Sequence, residues 1–328
     1  SNSAQGYFSV IMGGRVSSSE GAYNMIGGGR GHETKGDYAT VVGGNRNFAA
    51  NSEAVVSGGA WNTAVAAQST IGGGWRNRAS SYQAVVVGGS CQTASGPYST
   101  IGGGWYNAAT NQESVVIGGH LNNAAGDRST IGGGWRNSVY GSFAVVMGGA
   151  SNEVSGQRSI IGGGWHNSVS TDSSVVVGGE YNTISGYRSV IGGGWNNVVS
   201  TEQGVVIGGQ YNAAVGQRSV IGGGWQNTAS QYAAVIIGGE TNSALGYRSI
   251  VGGGWENTAN AQNSVVVGGS RNRATGYRSV IGGGWDNTAS ADSAIVIGGS
   301  RNSALDQRSV VGGGWRNAQV PQASRGAA

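Results

Sequence analysis

The side chains able to do chemistry are few and dispersed. His32, His120 and His166 fall at three different phases of the chain's 15-residue repeat, so no two would be stacked neighbours. Glu113, Glu153, Glu180, Glu202, Glu240 and Glu256 are scattered, and no carboxylate pair recurs as acid–base catalysis would need. Cys91 is the only cysteine, which excludes an intrachain disulfide and a thiolate metal cluster. The Gly-rich runs lack the Lys and the helix of a phosphate loop, and they recur in every repeat. The expectation is a chain with no catalytic residues, no metal and no cofactor.

What does repeat is aromatic and cationic. Trp75, Trp105, Trp135, Trp165, Trp195, Trp225, Trp255, Trp285 and Trp315 each follow a Gly-Gly-Gly run and lie 30 residues apart. Arg128, Arg158, Arg188, Arg218, Arg248, Arg278 and Arg308 form a second column with the same period. Two readings of the Trp column stand. In the first, favoured because buried aromatics dominate interface energy, each ring covers its flat glycine run and seals an edge between chains. In the second, the rings are platforms for glycan rings, with neighbours such as Tyr181 and Tyr211. The Arg column reads as a solvated or inter-chain edge.

The element that must position these columns is the repeat itself. A Gly-Gly pair recurs from Gly13-Gly14 to Gly313-Gly314, giving 21 copies without insertion or deletion. A fixed short period is the mark of a solenoid in which each copy is one coil. Each repeat splits into two arms of alternating character, the period of a strand, punctuated by Gly and polar residues. The fold class expected is all-β: a parallel β-solenoid of about 21 coils over residues 1–317. At a strand spacing of about 4.8 Å it would make a rod of about 100 Å. Residues 1–45 are less regular, with Arg15, Arg30 and Asn45 in the Trp column, and read as a cap or junction. Residues 318–328 read as a tail or linker.

The columns also sort inside from outside. Ile161, Val176, Ile191, Val206 and Ile221 form a β-branched column placed in the core, facing Val154, Val169, Ile184, Val199 and Ala214. An Asn column runs from Asn47 to Asn317 with Gln92 as its one exception, and reads as a buried ladder bonding adjacent coils. Flanking the core column are two outward ones. The first holds Val175, Val190, Val205 and Val220; the second alternates Val177, Ile207 and Ile237 with Gly192 and Gly222. One whole face is therefore apolar yet points away from its own coil. Its area of roughly a thousand Å² exceeds the patch a monomer normally exposes. The expectation is a homo-oligomer, with Val175, Val177, Val190, Val205, Ile207, Val220 and Ile237 in the interface. The alternating column would give ridges and hollows that interdigitate.

Composition bounds the rest. Gly is 66 of 328 residues, only 2 are Pro, and 10% are charged, unlike collagen or a disordered tail. No run is long and apolar enough for a membrane helix, so no membrane insertion is expected. The chain opens in mid-pattern with no visible signal peptide, Asn2–Gly6 matching Asn182–Gly186. A net charge of +4 spread over many coils is a weak field and does not call for nucleic acid.

With these columns in place, the chain resembles the head repeats of trimeric autotransporter adhesins. The residues that carry the likeness are Ser174-Val175-Val176-Val177-Gly178 and Asn212-Ala213-Ala214-Val215-Gly216. It equally resembles the glycine-rich repeats of bacterial and phage tail fibres, and the match spans residues 2–317. Those families imply a left-handed parallel β-roll, three chains around one axis, and an extracellular attachment role on a cell or virion. The adhesin heads usually repeat every 14 residues and lack the Trp column. A further resemblance, to plant antifreeze β-rolls, would imply ice binding. Three functions follow: a structural rod or head of an attachment fibre, with surface polysaccharide as a candidate partner; an ice-binding roll; and a glycan-cleaving tailspike segment. Against ice binding, the polar outward columns are irregular, running Thr183 and Ser185, then Val198 and Ser200, then Ala213 and Val215.

Overall fold

A computed structural model describes residues 1–319. It forms two compact units, residues 1–166 and 167–319. Both are built from the same 15-residue coil, and all regular structure among the described residues is β. The chain is a parallel β-solenoid of about 21 coils in total, as the Gly-Gly count requires.

Each coil contributes two strands of two residues. In the second unit, Val175–Val176 pairs in parallel with Val190–Ile191, and Thr183–Ile184 pairs with Val198–Val199. In the first, Val115–Val116 pairs with Thr130–Ile131, and Asn123–Ala124 with Ser138–Val139. The register is always one repeat, so every column of the sequence becomes a row of stacked side chains. The last strand, Ala318–Gln319, still pairs with Ser303–Ala304, two residues beyond the boundary expected at 317. The rest of the expected tail, 320–328, lies outside the described residues.

The corners explain why the strands are so short. Two non-glycine residues per coil sit in the left-handed region, with φ between 51° and 62°. Arg218 and Tyr211 are typical of the two corners. Such a conformation costs roughly 1–2 kcal/mol per residue, so something must offset it. Strand amides donate forward, as from Val205 N to Ser219 O at 2.9 Å. The left-handed residues donate backward, from Arg218 N to Glu202 O and from Tyr211 N to Trp195 O, both 3.0 Å. The corner thus flips the peptide so that each coil is bonded in both directions, and no corner amide is left orphaned. Only Val16 and Thr241 among these residues are β-branched, the class least tolerant of this region.

The core is thin. Ile191, Val206, Ile221 and Ile236 face Ile184, Val199, Ala214 and Ala229, all without solvent exposure. The largest fully buried side chains are isoleucines, with His32 and Gln92. No aromatic ring fits between two sheets so close, which places every Trp and Tyr outside. In the first coils Ser19 and Thr34 occupy core positions and bond to each other at 3.0 Å. There Phe8, Tyr23 and Tyr38 stack along one corner, with centroids 5.3 Å and 4.9 Å apart.

The Asn column forms the expected ladder. Asn212 N donates to Asn197 Oδ1 at 3.0 Å. Its Nδ2 donates to Gly208 O and to Gly224 O, each at 3.0 Å. Each side chain therefore joins its own coil to the next, each residue bonds three coils, and turn carbonyls that the short strands cannot reach are satisfied. The second Gly of each pair completes this corner, with φ between 78° and 99°. A Cβ on Gly209 would collide with the carbonyl oxygen of Gly224 and the Asn212 amide.

Two members of the column test the ladder. Gln92 still accepts from Asn107 N at 2.8 Å, but its longer side chain leaves Nε2 buried without a partner. Gln92→Asn is expected to stabilise the chain by about 1 kcal/mol, and Asn197→Leu to destabilise it by about 1–3 kcal/mol. Denaturant melts of both variants check this; equal and opposite changes on the solvent face would contradict the ladder. His32 occupies the same column, accepts from Asn47 N at Nδ1 at 3.2 Å, and is buried. Burial pushes its pKa below the ordinary imidazole value. The folded state then resists protonation, so stability is complete above the ordinary value and is lost as pH falls through the lowered one. Amide exchange around 32–47, corrected for intrinsic rates, should accelerate below neutral pH, and His32→Asn should abolish that acceleration.

Candidate interaction surfaces

The stacked coils present an apolar face and two corner edges. On the face, the column holding Val175 and Val205 is half-buried. The next column stands out as a ridge: Val177, Ile207 and Ile237 are 60%, 63% and 65% exposed. In the first unit Val87, Ile117 and Met147 continue the pattern, although Thr70, Thr100 and Thr130 alternate with Val in the half-buried column. Each sequence-expected interface residue thus reaches the surface or its margin, with Val190 at 37% and Val220 half-buried.

The glycines of this face divide into two kinds, a distinction the sequence alone does not make. In alternate coils the ridge residue is Gly, and its absence of Cβ has an internal cause. A Cβ on Gly192 or Gly222 would collide with the carbonyl oxygen of Ile207 or Ile237 in the next coil. Glycine in the hollows thus has a steric cause within one chain and does not need a second subunit to explain it. The first Gly of each pair behaves differently. A Cβ on Gly178, Gly208, Gly238, Gly268 or Gly298 would meet nothing within 4 Å. None of these five has a positive φ. No collision within the chain demands glycine at these five positions, whereas Gly133, Gly193, Gly223, Gly253 and Gly313 of the same column have φ of 154–158°, which itself favours glycine.

The Trp edge is open to solvent in the single chain. Trp75, Trp105, Trp135, Trp165, Trp195, Trp225 and Trp255 are between 36% and 48% exposed, Trp315 is 63% exposed, and Trp285 is half-buried. The ring origins are pinned, because each Trp makes parallel bridges to the coils beside it, such as Trp75↔Ser90 and Ser90↔Trp105. Cations lie on several rings: Arg76 over Trp75 at 4.3 Å, Arg136 over Trp135 at 5.0 Å, Arg271 over Trp255 at 4.6 Å. Elsewhere other rings fill this place, with His120 against Trp105 at 4.5 Å and Tyr211 against Trp195 at 4.6 Å.

The opposite edge carries the Arg column in left-handed corners. Arg128 bonds Glu113 at 2.9 Å, and this partner holds the Glu113 carboxyl below the usual carboxylate range. Arg218, Arg248 and Arg278 lie over Tyr232, Tyr247 and Tyr277.

The titratable groups do not converge. His32 is in the Asn ladder, while His120 and His166 pack on Trp105 and Trp165. Among the described residues, no three His, Cys, Asp or Glu side chains come together as a metal site would need. No helix among them is long and apolar enough to cross a membrane. The chain matches no protein-family model, and no curated protein matches it.

Proposed function

We propose that this chain is a non-enzymatic rod or head segment of an extracellular attachment fibre, and that it assembles with copies of itself through the ridged apolar face. The observation that carries the reading is the bare first-glycine column. Glycines such as Gly178, Gly208, Gly238, Gly268 and Gly298, open on the Cβ side and without positive φ, stand beside a ridge of exposed Val and Ile and fit a surface approached closely by another backbone. Three copies around one axis, wound as left-handed rolls, is the arrangement that the adhesin and tail-fibre resemblance favours. Dispersal of the His and Glu residues supports a structural over a catalytic role. Within each unit, a stack of coils bonded to their neighbours resists bending, which suits reach and display.

The assembly is tested by pairing two sets of variants. Val177→Asp, Ile207→Asp and Ile237→Asp together place charges on the ridge and should dissociate the oligomer in light scattering. Gly178→Ala, Gly208→Ala and Gly238→Ala together should leave the circular dichroism spectrum unchanged while weakening association. Gly209→Ala, one residue on, should instead destabilise the fold by several kcal/mol through its left-handed φ and backbone collision. A soluble monomer for the unaltered chain would overturn the self-association. Thermal hysteresis in dilute solution would favour ice binding, and release of reducing ends from surface glycans would favour a tailspike enzyme.

A further inference from the structure

The Trp edge of residues 1–166 differs from that of residues 167–319 in charge. In the first unit the two columns that form this edge hold Arg15, Arg30, Arg46, Arg76 and Arg136, with His120 and His166, and no Asp or Glu. In the second unit the same columns hold Glu180, Glu240, Glu256 and Asp286. There Arg271 bonds Glu256 at 2.9 Å, and Arg301 lies 3.6 Å from Asp286. Arg46, Arg76 and Arg136 have no carboxylate partner among the described residues. The acids bordering the basic edge are Glu33, which is bonded to Lys35 at 2.9 Å, and Glu153.

The free guanidiniums are also pre-ordered. Arg46 lies over Trp61 at 4.4 Å, Arg76 over Trp75 and Arg136 over Trp135. A guanidinium held over a ring is restrained by it and still has donors to offer a carboxylate or sulfate bidentately. Between the Trp coils stand coils bearing Ser90, His120 and Ala150, the His120 ring packing on Trp105. Beside the Trp column, a cavity of about 460 Å³ is lined by Leu121, Arg136, Ser151, Glu153 and His166.

We propose that this edge of the first unit binds an extended anionic polysaccharide, with acidic groups on the guanidiniums and sugar faces against the exposed rims of the Trp rings. The inference rests on the reading of the chain as a displayed, non-catalytic surface. Its second support is spacing. Trp75, Trp105, Trp135 and Trp165 recur every two coils, about 10 Å along the stack. That is the length of one disaccharide in an extended β-1,4-linked chain, so such a polymer would present the same group to each platform. A nucleic acid strand advances about 3.4 Å per stacked nucleotide and would leave most bases between platforms. Each contact is weak, and the repeat supplies the affinity by multivalency.

The test uses the full chain with three polymers: carboxymethyl cellulose, neutral hydroxyethyl cellulose, and single-stranded DNA. Carboxymethyl cellulose should bind, with affinity falling as salt rises, and the neutral analogue should bind at least roughly tenfold more weakly. Arg46→Gln, Arg76→Gln and Arg136→Gln together should reduce binding roughly tenfold or more at low salt. Arg188→Gln, Arg218→Gln and Arg248→Gln on the opposite edge of the second unit should leave it unchanged. Trp75→Leu with Trp135→Leu should also weaken it, with circular dichroism confirming the fold. Equal loss from the two Arg sets, equal binding of the neutral polymer, or tighter binding of DNA would overturn the proposal. Light scattering on the same samples separates the two readings. An oligomer that ignores carboxymethyl cellulose sinks the ligand alone, and a monomer that binds it sinks the assembly alone.

Discussion

Every feature of this protein depends on amides that bond from coil to coil in two opposed directions. Strand amides reach forward to the next coil and corner amides reach back to the previous one. The backward bonds require a left-handed residue at each corner, and the corner in turn limits each strand to two residues. The strain at forty or so corner residues is tolerable only because each one secures a hydrogen bond that has no other way to form. The Asn ladder acts on the same problem. Its amide groups fill the acceptors at the glycine corner; at the other corner the equivalent buried residues are mostly serines, of which Ser99, Ser129, Ser219 and Ser279 have hydroxyls without partners.

Thinness follows from the short coil, and the placement of aromatic residues follows from thinness. A core that admits nothing larger than Ile cannot hold Trp or Tyr. Their exposure is thus not by itself a sign of binding. What distinguishes the Trp edge of the first unit is the company the rings keep: guanidiniums lying over them, with no acid in the same columns. In the second unit the acids return and the charges are partly neutralised within the chain. Two stretches with one architecture therefore offer different chemistry at equivalent positions.

Glycine serves at least three purposes here, and they call for different physical explanations. The second Gly of each pair holds a left-handed corner against the next coil, as Gly209 does against Gly224. The glycine that alternates with Val or Ile yields to a neighbouring carbonyl, as Gly192 does to Ile207. The first Gly of alternate pairs, as at Gly178 and Gly208, has open space where a Cβ would stand and no positive φ.

Periodicity alone determined the class of fold, the number of coils, the strand register and the division of Val176, Ile184 and Asn197 to the inside from Val177 and Thr183 to the outside. Those properties are repeated in every copy, so the average over copies makes them legible. The left-handed corners were not read from the sequence, although a signal exists: among those positions only Val16 and Thr241 are β-branched. The difference between the glycine columns was also hidden, because identical residues carry no mark of what lies beside them. Only tertiary structure decided which glycines are sterically required and which Arg residues stack on a neighbouring ring or find an acid. These depend on atoms a full repeat away in sequence, brought within contact distance by the stacking of coils.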